Sequence, residues 1–120
     1  MDTPKIFESE YRFCQILWEH EPVSSTELVK LCREALGWKK STTYTVIKRL
    51  SERGVVRLEN AVVSALVSRE QVQTSESREI VDRSFGGSLP RFVAAFTSGK
   101  RLTAQEAAEI RRLIDQYEEV

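Results

Sequence analysis

Gly37-Trp38-Lys39-Lys40-Ser41-Thr42-Thr43-Tyr44-Thr45-Val46-Ile47-Lys48-Arg49-Leu50-Ser51-Glu52-Arg53-Gly54 is a short helix written between two glycines. Val46, Ile47 and Leu50 recur at helical spacing and give it an inner face. Thr42, Thr45, Lys48 and Arg49 fall on the opposite side, with Tyr44 near the boundary. Its first turn carries Ser41, Thr42 and Thr43, hydroxyl side chains that suit base edges or phosphates. The start of a helix also favours an anion through its free N–H groups and dipole. A major groove about 12 Å wide accepts one helix, and a reader helix needs a dry back and a polar front. Lys40, Lys48, Arg49 and Arg53 are placed to pair with phosphates. The bland alternative stays open at this point, since Ser/Thr starts cap helices in general and late basic residues suit the dipole.

The residues upstream read as two more helices. One runs from about Ser9, as N-cap, to His20, with Phe13, Cys14, Ile16, Leu17 and Trp18 on a broad apolar face, and stops at Glu21-Pro22. The next opens on Ser24-Ser25-Thr26-Glu27, which has the form of a capping box. Leu28, Leu31, Cys32 and Ala35 then form its apolar stripe, and Gly37 ends it. Downstream, Val55 to Leu58 and Ala61 to Val67 are two β-branched runs around the polar pair Glu59-Asn60, which suggests a tight hairpin. Three helices and a hairpin, in that order, predict a winged helix-turn-helix over residues 1–67.

Residues 68–120 read as a helical arm. Ser68-Arg69-Glu70-Gln71 starts a helix reaching about Phe85, and Gly86-Gly87 breaks it. A short helix follows from about Ser88, tolerating Pro90 in its first turn. Thr103-Ala104-Gln105-Glu106 caps the last one. Phe85, Leu89, Phe92, Val93, Phe96, Leu102, Ile110, Leu113 and Ile114 are too apolar to face water and too few to form an independent core. Burial against the same stripe of a second copy is the economical solution, and folding back onto the N-terminal domain is the alternative. The predicted fold class is therefore mainly α with a small β-hairpin, a winged helix-turn-helix followed by a C-terminal helical dimerisation arm.

Composition narrows the function classes. The 120 residues carry 18 basic and 18 acidic side chains, so net charge advertises no nucleic-acid partner. Locally the balance differs: between Trp38 and Leu58 stand Lys39, Lys40, Lys48, Arg49, Arg53 and Arg57 against the single acid Glu52. No apolar run approaches the roughly 20 residues of a membrane span, and Met1 to Lys5 starts no signal peptide, so the expected address is cytoplasmic, without membrane insertion. Cys14 and Cys32 sit among apolar helix positions and read as buried thiols. With His20 the lone histidine, neither a metal site nor a cofactor is expected. One histidine and no G-x-S-x-G, P-loop or H-E-x-x-H motif argue against an enzyme.

The chain resembles the penicillinase-repressor family over nearly its whole length. Glu10 to Trp18 looks like the family's opening helix with its Leu-Trp ending. Gly37 to Leu50, followed by Glu52-Arg53-Gly54, is similar to its recognition helix and is the most specific match. Leu66 to Glu70 looks like the joint into the arm; Phe85 to Leu89, and Leu102-Thr103 through Glu109 to Leu113, resemble the arm itself. The resemblance implies a homodimer that represses genes from a palindromic operator in double-stranded DNA. The family's DNA-contacting positions match Ser41, Thr42, Tyr44, Thr45, Lys48 and Arg49, beside which Lys40 is added from the residues. In the best-known members a membrane metalloprotease sensor signals and the arm is cut. Their scissile bond often joins Asn to Phe, and the matching pair here is Ala95-Phe96. The family's wing is longer, basic and aromatic, whereas Glu59-Asn60 is the whole tip here. Copper-responsive relatives end in clustered C-x-C pairs, and this chain has no cysteine after Cys32.

The alternative function is a wing-reduced winged-helix protein-interaction module with weak or no DNA binding. Carboxylates packed against Lys40, Lys48 and Arg49 would favour it.

Overall fold

Six helices and three short strands follow one another in the computed structural model, which describes residues 3–119. They are α1 (Glu8–His20), β1 (Val23–Ser24), α2 (Ser25–Leu36), α3 (Lys40–Glu52), β2 (Val56–Glu59), β3 (Val62–Ala65), α4 (Arg69–Phe85), α5 (Leu89–Thr97) and α6 (Ala104–Tyr117). The chain divides into two compact units, Met1–Ser77 and Arg78–Val120.

In the first unit, helix starts follow side-chain chemistry. Ser24 Oγ accepts the Glu27 N–H at 3.1 Å and opens α2, and Gly37, at φ +69°, closes it. α1 starts differently from the expected Ser9 cap. Phe7 occupies the cap position, and its N–H donates to the Glu10 carboxylate at 3.0 Å. The inner face of α2 is also rotated from the expected stripe. Ser25, Leu28, Val29 and Cys32 are buried, Leu31 is half-buried and Ala35 is exposed. The packing of α1 and α3 along the Leu28–Cys32 line decides this, not the apolar spacing alone.

The sheet has strand order β1-β3-β2, both pairs antiparallel, with Val23 opposite Val63 and Leu58 opposite Val63 on the other side. β1 went unseen in the sequence because two residues cannot display a period of two. The hairpin turn sits one residue beyond the expected pair: Glu59 pairs with Val62, and Asn60 and Ala61 form the tip at φ +52° and +62°. A two-residue turn of this hand needs positive φ at both central residues, which asparagine tolerates better than glutamate. The Ala61 carbonyl accepts the Ser25 N–H at 2.8 Å, tying the turn to the start of α2.

Phe13, Cys14, Leu17, Leu28, Cys32, Val46, Ile47, Leu50, Val55, Val56, Val63 and Val72 form one buried cluster, with Trp38 stacked on Phe13 at 6.1 Å. Val72 belongs to α4, so this unit runs past residue 67, where the sequence pattern puts the division. The start of α4 is anchored to α1 as well. Trp18 Nε1 donates to the Val67 carbonyl at 3.0 Å, and the Arg69 guanidinium lies 5.6 Å over the Trp18 ring.

The second unit holds the end of α4, then α5 and α6. Ser88 caps α5 with Pro90 in its first turn, and Thr103 and Glu106 exchange both hydrogen bonds of a capping box at α6. Phe85 and Phe92 meet edge to face at 5.5 Å. Neither α5 nor α6 has a fully buried residue. Leu89, Val93, Phe96, Ile110, Leu113 and Ile114 are all between 41% and 59% exposed, while Phe85, Phe92 and Leu102 are half-buried.

A left-handed backbone at Ala61 costs roughly 1 kcal/mol, and glycine removes that cost. Ala61→Gly is expected to raise the stability of the first unit by about 0.5–1 kcal/mol in thermal or urea unfolding. A neutral or destabilising result contradicts the turn as described.

Candidate nucleic-acid interface

Thr43, Val46, Ile47 and Leu50 turn the back of α3 into the core. Ser41, Thr42, Thr45, Lys48 and Arg49 are exposed on its front, whereas Lys40, also exposed, lies to one side, lining a depression with Tyr44 and the α2 residues Thr26, Glu27 and Lys30. Thr43 departs from the expected trio of outward hydroxyls. It is fully buried beside Cys32, whose thiol burial pushes up to about 11 against a smaller opposing effect of the Thr43 hydroxyl. Three consecutive helical positions span about 200°, so they cannot all face one groove.

Thr45 donates its hydroxyl to the Ser41 carbonyl at 2.8 Å, which leaves its oxygen lone pairs and methyl group turned outward. Tyr44 is half-buried, and its hydroxyl donates to Ser25 Oγ at 3.1 Å. It therefore ties α3 to α2 at the edge of the front, with the Lys40 ammonium 6.0 Å over its ring. Among the described residues neither Lys40 nor Lys48 has a carboxylate within 4.0 Å, whereas Arg49 reaches one.

Shallow depressions flank this front. Ser9, Trp38, Ser41, Thr42, Thr45 and Arg49 line one of them, against α1. Tyr44, Lys48, Ser51, Arg57, Leu58 and Leu66 line another, between α3 and the stem of the wing. Arg57 belongs to the local cationic excess of the sequence, yet nothing in the one-dimensional pattern sets it beside Lys48. Packing of β2 against α3 does that. The wing thus brings a cation from its stem, although its Asn60-Ala61 tip has none.

Behind the front lies a carboxylate that sequence reading passed over. Glu10 sits on the buried side of α1, with its side chain 2% exposed. Burial alone would raise its pKa. Hydrogen bonds from Arg53 and the Phe7 N–H, with the charges of Arg53 and Arg49, outweigh burial and hold the carboxyl below its ordinary value. Arg53 Nη2 donates to Oε1, and Arg49 Nη1 lies 4.0 Å from Oε2. Arg53 also lies 5.3 Å over the Phe7 ring. The neighbouring Cys14 thiol is pushed up to about 12 by burial and by the Glu10 charge, so it stays neutral. An acid at an otherwise apolar helix position is the only signal that could have pointed to Glu10.

Three helices, a small sheet with a two-strand wing, and a third helix with a covered back and a polar front define a winged helix-turn-helix protein. A solved structure of this type is the Bacillus licheniformis BlaI monomeric form in complex with the blaP half-operator. It superposes with a TM-score of 0.51 at 21% identity, covering 59% of this chain and 93% of that one. The penicillinase repressor family model matches residues 6–116, and the chain belongs to that family. Similar relatives are the penicillinase repressor of Bacillus licheniformis, 20% identical over 95% of this chain and 92% of that protein, and the methicillin resistance regulatory protein MecI of Staphylococcus aureus strain Mu50, 21% identical over 95% and 96%.

A depressed carboxyl pKa fixes the sign of one pH effect. The ionised Glu10 contributes stability that is complete above its ordinary value of 4.5 and is lost as pH falls through the lower folded value. Glu10→Gln is expected to cost roughly 1–3 kcal/mol at neutral pH, a deficit that shrinks as pH falls below 4.5 and closes below the lowered folded value. Urea unfolding at neutral and acidic pH measures it, and a deficit independent of pH contradicts the assignment.

Proposed function

We propose that this protein is a dimeric transcriptional repressor that binds a palindromic operator in double-stranded DNA through α3. One observation carries the reading. The front of α3 is an uncovered row of hydroxyls and cations, while its back is anchored in the core. Ser41, Thr42 and Thr45 supply short polar groups at the depth where base edges are read. Lys40, Lys48 and Arg49 supply phosphate contacts, which position the helix without reading sequence. Tyr44 contributes through its ring edge, since its hydroxyl is held by Ser25. Family membership supports repression, and BlaI was solved as a monomeric form on a half-operator, which is consistent with two protomers on a whole one.

The dimerisation arm in this reading is the second unit, residues 78–120, shorter than the 68–120 of the sequence pattern because Val72 packs in the first unit's core. The half-covered row of Phe85, Leu89, Phe92, Val93, Phe96, Leu102, Ile110, Leu113 and Ile114 is more apolar surface than a lone chain gains by showing to water. The same row on a second copy covers it, and the two α3 helices then face successive major grooves. Release follows from cutting the arm between Ala95 and Phe96, in α5, by a membrane metalloprotease sensor. Both side chains are exposed, as a protease requires. The repressor itself acts in the cytoplasm; among the described residues no helix is long and apolar enough to cross a membrane.

Two substitutions separate reading from holding. Thr42→Ala with Thr45→Ala is expected to relax sequence preference, each lost contact being worth about 1–3 kcal/mol of discrimination. Lys48→Ala is expected to weaken binding to every duplex alike and to lower the salt slope by about 1. Titrations at several salt concentrations measure both, and equal losses in the two variants contradict the division of roles. In the arm, Leu113→Glu is expected to convert a dimer into a monomer in sedimentation. An unchanged dimer removes α6 from the interface. Intact mass of the protein recovered from induced cells reads the cut, and a fragment ending elsewhere than Ala95 relocates it.

A further inference from the structure

We infer that Glu10, buried behind the front of α3, is a positioning residue that sets how well α3 discriminates between DNA sequences, by restricting where the Arg49 guanidinium can go. The inference rests on the reading of α3 as a DNA-binding helix. The two oxygens of Glu10 do different things. Oε1 accepts both directed hydrogen bonds, from the Phe7 N–H at 3.0 Å and from Arg53. Oε2 is buried and accepts none. The Arg49 Nη1 lies 4.0 Å from Oε2, at the end of a side chain that is 56% exposed. A buried anionic oxygen lacking a donor is costly, so it draws the nearest cation that can approach it from the surface.

That attraction decides what Arg49 does on DNA. An unrestrained arginine at this position would pair with whichever phosphate came closest, adding affinity for all duplexes alike. An arginine drawn back toward a buried carboxylate gives up part of that sequence-independent attraction. It reaches the duplex only where the register of α3 brings a partner to it. Part of its rotamer freedom is lost before binding, which favours the one geometry that fits. Arg53 cannot play the same part. Its guanidinium is engaged by Oε1 and by the Phe7 ring, and its side chain is only 29% exposed.

The test compares a duplex enriched from a random-sequence library by the parent protein with a scrambled duplex of the same composition. Dissociation constants for both are measured with the parent, Glu10→Gln, Arg49→Ala and the double variant. Glu10→Gln keeps the shape and the acceptor for Phe7 and Arg53 but removes the charge facing Arg49. It is expected to narrow the ratio of the two constants about fivefold, chiefly through tighter binding to the scrambled duplex. With alanine at position 49 the same change is expected to leave the ratio within about twofold, while its loss of melting temperature persists. Equal narrowing in both backgrounds, or none in either, overturns the inference and leaves the DNA-binding reading intact. Should glutamine unfold the chain, Glu10→Asp retains the charge and withdraws it from Arg49 by one methylene; an unchanged ratio there also overturns it. A parent protein that enriches no sequence overturns the DNA-binding reading, and this inference with it.

Discussion

The covered back of α3 is the constraint from which the rest of the first unit follows. A helix of 13 residues is marginal by itself in water, so its orientation must come from packing. Thr43, Val46, Ile47 and Leu50 provide that anchorage against the cluster around Phe13, Leu17 and Leu28. Once those four point inward, 3.6 residues per turn leave no freedom to the others. Ser41, Thr42, Thr45, Lys48 and Arg49 must point out. A reader helix has to keep its orientation against the pull of a polyanion, and dense packing behind it does this better than any surface contact.

Glu10 and Arg53 add a directional element to that packing. Hydrophobic contact fixes distance but not rotation, whereas a buried carboxylate with a guanidinium partner fixes both. The pair joins the start of α1 to the residue that caps α3, so the two helices cannot slide past one another without separating buried charges. On the other flank, Tyr44 to Ser25 and Ala61 to Ser25 tie α3 and the wing to the same point at the start of α2. Ser25 is thus a node for three elements, although as a residue type it drew attention only as part of a helix start.

The two units use apolar side chains differently. In the first, they are removed from water within one chain. In the second, α5 and α6 keep half or more of several large apolar side chains in solvent, and local capping rather than a core defines the helices. Ser88 and Thr103 specify where those helices begin, and Gly86-Gly87 where α4 stops. Such an arm is well specified in secondary structure while its apolar surface is left to be covered. This is what a surface kept for a second copy requires, and it underlies the proposal of a dimer.

Sequence alone determined the features that depend on neighbours within one turn of chain. The caps at Ser24, Ser68, Ser88 and Thr103, the stops at Gly37 and Gly86-Gly87, and the division of α3 into an apolar back and a polar front are all local, because hydrogen bonding and periodicity act over three or four residues. Tertiary structure decided whatever depends on partners distant in the chain. It inserted β1 beside β3, moved the turn to Asn60-Ala61, rotated the buried face of α2 from Ala35 toward Val29, turned Thr43 inward, and carried the first unit into α4, as far as Ser77, with Val72 in its core. It also put Arg57 beside Lys48 and Glu10 behind Arg49, 39 residues away in sequence. Periodicity says that a face is apolar or charged; only the packed chain says which groups meet across it.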